Sequence, residues 1–67
     1  MNKKKLRALM VLNGDTNKSM AEYLKISEKS FSDKINESGT EFKQSEINAI
    51  REKYDLTSED VVSIFFA

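Results

Sequence analysis

The chain has 67 residues, enough for one domain with a modest core, and it contains no cysteine and no histidine. Disulfides and the usual zinc ligand sets are thereby excluded, which leaves a partner subunit as the device that steadies so small a domain. Eleven bases balance eleven acids, yet residues 1–34 hold eight bases against four acids and residues 35–67 three against seven, net +4 and net −4. A basic front half can attract phosphate locally even in a neutral chain.

There is no proline, and the two glycines stand at 14 and 39. Apolar residues recur at helical spacing throughout, which predicts five short helices and an all-α domain spanning residues 1–67. The first runs over Lys3–Asn13, with Leu6, Leu9 and Met10 on one face and Leu12 at its margin. Gly14 suits the left-handed residue beyond a helix end. The second runs over Asn17–Leu24, with Thr16 as N-cap and Met20, Tyr23 and Leu24 on its apolar side. After a turn at Lys25-Ile26, Ser27 caps a third helix over Glu28–Asn36, with Phe31 and Ile35 inward.

Residues 37–41 read as loop. The fourth helix runs over Gln44–Tyr54, with Ile47, Ile50 and Tyr54 aligned. Phe42 can staple onto Ile47, and Glu46 can reach back to the amide of Lys43, half of a capping box. The fifth starts at Thr57 and reaches the C-terminus. Leu56 and Val61 stand in staple positions there, and Glu59 and Asp60 favour the positive helix end.

The informative stretch is Thr16 to Asn36. Two short helices meet at a tight turn, Ala21 sits where only a small side chain lets them approach, and the second helix is polar outside. This is the layout of a helix-turn-helix, whose second helix enters the major groove. The stretch Thr16-Asn17-Lys18-Ser19-Met20-Ala21-Glu22-Tyr23-Leu24-Lys25-Ile26-Ser27-Glu28-Lys29-Ser30-Phe31-Ser32, with the closing Ile35-Asn36, resembles the Cro and repressor family of phage helix-turn-helix regulators (XRE-like). The resemblance extends over the whole chain. It implies a five-helix, lambda-repressor-like DNA-binding domain and a regulator of transcription acting on an operator in the bacterial cytoplasm.

The resemblance further implies that Asn17 touches the DNA backbone and that Glu28, Lys29, Ser32 and Asp33 face base edges. Lys29 can donate to guanine, and Glu28 or Asp33 can accept from the cytosine amino group. Lys18, Ser27, Ser30 and Lys34 suit phosphates, as do Lys3, Lys4 and Lys5. The family's Gly is replaced here by Lys25, which is expected in the left-handed region. The family's apolar residue is replaced by Lys34, and Ile35 is expected to supply that apolar contact one position along.

On the fifth helix Val61, Ile64 and Phe65 form a core stripe, and Val62 and Phe66 a second one beside it. One small domain can hardly cover both. Val62, Phe65 and Phe66 are therefore the expected contact of a homodimer, Phe65 belonging to the core stripe as well. A two-fold dimer would demand a palindromic operator.

An enzyme is not expected: there is no His or Cys nucleophile or base, no phosphate loop and little room for a pocket. No cofactor, metal or small-molecule ligand is expected either. No apolar run is long enough to span a bilayer, and no signal-peptide pattern follows the basic start, so no membrane partner is expected and the cytoplasm is the expected place. The alternative function is a protein-binding adaptor, antirepressor or antitoxin-like, using the same fold. The near-neutral third helix favours it.

Overall fold

In a computed structural model, described throughout residues 1–67, the chain forms five α-helices and no strand: α1 Lys3–Leu12, α2 Asn17–Leu24, α3 Glu28–Ile35, α4 Gln44–Tyr54 and α5 Ser58–Phe65. Helices α2 and α4 have the limits read from the sequence. Helices α1 and α3 stop one residue earlier, at Leu12 and Ile35, because Asn13 and Asn36 serve as caps. Thr57 is likewise the cap of α5 rather than its first residue.

The starts follow from side-chain oxygens placed three residues before a free amide. Thr16 Oγ1 accepts from the Ser19 amide at 3.1 Å, and Ser19 Oγ accepts from the Thr16 amide at 2.9 Å, closing a capping box. Ser27 caps α3 and Thr57 caps α5 in the same manner. Lys43 has no acceptor to offer, so α4 is capped from the other side, by Glu46 Oε1 accepting from the Lys43 amide at 2.7 Å.

The stops of α1 to α4 share one device. A residue in the left-handed region donates its amide to the carbonyl three back, and the next amide reaches five back, the paired bonds of a Schellman motif. The left-handed residues are Gly14 (φ 70°), Lys25 (φ 60°), Glu37 (φ 56°) and Asp55 (φ 52°). At α2 the bonds are Lys25 N to Glu22 O, 3.2 Å, and Ile26 N to Ala21 O, 3.0 Å. At α3 they are Glu37 N to Lys34 O, 3.2 Å, and Ser38 N to Asp33 O, 2.8 Å. Lys25 thus adopts the conformation expected of it. The ends at Glu37 and Asp55 use the same geometry without glycine.

The core joins Leu6 and Met10 of α1, Met20 and Ala21 of α2, Phe31 and Ile35 of α3, Ile50 of α4, Leu56, and Ile64 of α5. Phe31 is fully buried at its centre, so truncation to Ala would cost about 3–5 kcal/mol. The most extensive contact is α2 on α3, while α5 leans on both α1 and α4. The Asn2 amide donates to the Ile64 carbonyl at 2.7 Å and fastens the start of α1 to α5.

Two apolar residues depart from their expected places. Leu12, at the last turn of α1, has no element over it and is 82% exposed. Tyr23 is also exposed, its hydroxyl donating to the Ala49 carbonyl at 3.3 Å, so it bridges α2 to α4 rather than filling the core. Phe65 is half-buried and packs edge-on against Phe42 at 5.8 Å, and Phe42 meets Phe31 in the same way at 5.7 Å. Of the three residues expected at a dimer contact, Phe65 is therefore committed to its own core, and Val62 and Phe66 face outward. No helix is long and apolar enough to cross a membrane.

Candidate nucleic-acid interface

Helix α3 is short, capped at both ends and presents one apolar edge inward. The edge holds Phe31 and Ile35. The opposite side carries Glu28 and Lys29, both exposed, with Ser32 and Asp33 half-exposed. Four residues apart on a helix, Lys29 and Asp33 can meet. Lys29 Nζ lies 2.9 Å from Asp33 Oδ2. Asp33, as the hydrogen-bond acceptor and nearby charge, holds the Lys29 ammonium above the usual lysine range.

The fourth charge of α3 is not on that face. Lys34 is buried and its Nζ lies 2.9 Å from Glu46 Oε1, with a second bond to the Glu41 carbonyl at 3.3 Å. The assignment of Lys34 to phosphate contact is corrected accordingly: its ammonium is turned into the protein and two of its three donors are occupied. Beside Lys34, Ile35 is fully buried and supplies the apolar contact expected of it. Burial by itself would raise the Glu46 carboxyl, but the Lys43 amide and the Lys34 ammonium overcome it and hold the group below the usual glutamate range. One carboxylate thus caps α4 and neutralises Lys34.

With Lys34 withdrawn, the charges that α3 shows to solvent are Glu28, Lys29 and Asp33, net −1. The positive groups stand around the helix. Asn17 and Lys18 occupy the first turn of α2, half-exposed and exposed. Lys3 Nζ reaches Asn36 Oδ1 at 3.2 Å, so the basic start of α1 flanks the C-terminal end of α3. Lys5 leans the other way, onto Ser63 Oγ at 2.7 Å, and Lys4 is exposed with no partner. Ser27 Oγ donates to Ser30 Oγ at 2.9 Å, which leaves oxygen lone pairs but few free protons for a phosphate.

A second polar knot supports α2 from behind. Asp15 accepts from Tyr54 Oη at 2.7 Å and Ser19 Oγ at 3.0 Å, with Lys53 Nζ at 3.7 Å. The Tyr54 bond foremost holds Asp15 below the usual aspartate range. Burial, then the Asp15 charge, pushes the Tyr54 hydroxyl above the usual tyrosine range. Lys53 also sits 4.7 Å from the Tyr23 ring centre, a cation–π contact. Helical spacing alone does not disclose these partnerships. One signal was available: a lysine at a core position of α3 requires a buried acid, and Glu46 was the acid whose helix position faces it.

No cluster of three or more His, Cys, Asp or Glu side chains is gathered to hold a metal ion. A shallow cleft lies between the α3–α4 loop and α5, floored by Phe42, Ile47, Phe65 and Phe66 and edged by Glu37 and Glu41. No protein-family model matches the chain, and no curated protein or solved structure shows a significant match to it.

Proposed function

We propose that this protein is a sequence-specific, double-stranded DNA-binding regulator of Cro-repressor type, with α2 and α3 as a helix-turn-helix and α3 in the major groove. The observation that carries the reading is the α2–α3 unit. Two eight-residue helices are joined through a left-handed residue at Lys25, and α3 keeps a polar outer face that its own domain does not use. Major-groove readers have this form. In this reading Glu28, Lys29, Ser32 and Asp33 face bases. Asn17, Lys18, Ser27, Ser30, Lys3 and Lys4 face phosphates, and the protein works in the bacterial cytoplasm. Val62 and Phe66 join two copies so that two α3 helices meet successive major grooves about 34 Å apart.

Selection from a randomised duplex pool, followed by binding to the enriched sequence at several salt concentrations, tests this. The expected result is a palindromic site bound by two copies, with affinity falling steeply as salt rises. The acidic sum on the face of α3 and the prior pairing of Lys29 favour a second reading, an adaptor that docks α3 on a basic protein surface. Absence of binding to any duplex at low salt would leave only that one.

A further inference from the structure

The Lys29–Asp33 pair has a spacing that matters beyond helix stability. A G·C base pair shows the major groove two acceptors on guanine, N7 and O6, and next to them a donor, the cytosine N4 amino group. O6 and N4 are themselves hydrogen-bonded, at about 2.9 Å. Lys29 Nζ and Asp33 Oδ2 stand 2.9 Å apart, donor beside acceptor. The pair is therefore complementary in both spacing and polarity to the O6–N4 edge. Lys29 keeps two N–H donors beyond the one given to Asp33, enough for O6 and N7, and Asp33 keeps lone pairs for the amino group.

Resting on the DNA-binding reading above, we infer that Lys29 and Asp33 act as one specificity-determining unit that reads a single G·C pair, with α3 contributing discrimination rather than affinity. The charge balance argues for the second half of this. The exposed charges of α3 sum to −1 because Glu46 neutralises Lys34 inside the protein. Such a face is repelled by phosphates, so non-specific attraction must come from Lys3, Lys4 and Lys18 around it. A carboxylate facing the groove is offset only where an amino donor meets it. At a pair lacking that donor in register the Asp33 charge lies against an acceptor or a methyl group.

The test uses the full chain and its Lys29→Met and Asp33→Ala variants, each checked for native helicity, since neither residue is in the core. Each is taken through the same selection from a randomised duplex pool, and affinity is measured for the enriched site and for unselected duplex. The unmutated protein is expected to enrich one invariant G·C position per half-site that both variants relax, each losing about tenfold in discrimination there. Asp33→Ala is further expected to bind unselected duplex several-fold more tightly. Relaxation at two different positions, or an unchanged site in Asp33→Ala, would overturn the paired readout while leaving DNA binding intact. Failure of the unmutated protein to enrich or bind any duplex would remove the DNA-binding reading and this inference with it.

Discussion

Helix α3 carries two lysine–carboxylate pairs of equal length and opposite circumstance. Lys29–Asp33 and Lys34–Glu46 each measure 2.9 Å, but the lysine side chain is 85% exposed in the first and 9% in the second. Water screens the first pair and lets it come apart at little cost. The second was desolvated when the chain folded, and its two ends belong to different helices. Distance alone says nothing of this difference. Burial makes one pair an adjustable feature of the surface and the other a fixed tie between α3 and α4.

The comparison can be broken most sharply at Glu46. Glu46→Ala leaves the Lys34 ammonium buried without its acid and frees the Lys43 amide. The expected loss is about 3–5 kcal/mol in urea denaturation, comparable to the whole stability of a domain this size. Replacing both ends tells whether the charges or the packing matter. Lys34→Met with Glu46→Leu is expected to lose far less than Glu46→Ala alone. What remains is about 1 kcal/mol for the missing α4 cap. If the double variant is as unstable as the single one, the pair is not the source of the effect.

Acid sharpens the same contrast. The folded-state Glu46 carboxyl lies below its unfolded value, so the stability it contributes is fully present above the ordinary glutamate range near 4.3 and is lost as pH falls through the folded value. Asp15 and Asp60, also held low, add in the same direction. Stability measured between pH 6 and 3 should fall, and Glu46→Gln should flatten that fall without abolishing it. A variant curve parallel to the parent would show that Glu46 does not titrate as described. The smallest effect is expected at the exposed pair: Asp33→Ala should change stability by no more than about 0.5 kcal/mol. A loss above 1 kcal/mol there would erase the distinction between the two pairs.

Much of the helical layout was readable because its punctuation is local. Thr16, Ser27 and Thr57 are small oxygen-bearing residues three positions before a free amide, and each starts a helix. The core faces of α2 and α3 follow from spacing, since Met20, Phe31 and Ile35 have only one side on which to be buried. What escaped was tertiary. Lys34 looks like surface when read by residue type, and its inward turn depends on an acid twelve positions away across a loop. Tyr23 and Tyr54 are apolar by pattern, yet their hydroxyls seek Ala49 and Asp15 on other elements. The outer face of α3 was legible as a set of residues. Its charge was not, because the sum goes from zero to −1 once Lys34 is withdrawn.

The left-handed helix ends have a consequence for how the protein tolerates change. Three of the four positions are Lys25, Glu37 and Asp55, each of which carries a Cβ in a region where that atom is crowded, at roughly 1 kcal/mol apiece. Glycine would relieve the crowding but give back part of the gain through a looser unfolded chain. Lys25→Gly and Asp55→Gly are therefore expected to leave the melting temperature unchanged or raise it by a few degrees, and a clear drop would mean that the side chains anchor those turns. Glu37 is a lesser candidate because its carboxylate pairs with the Met1 ammonium at 2.9 Å. A lineage under pressure to rewrite the face of α3 could draw on these turns, since a compensating glycine there touches neither the core nor the outer face of α3.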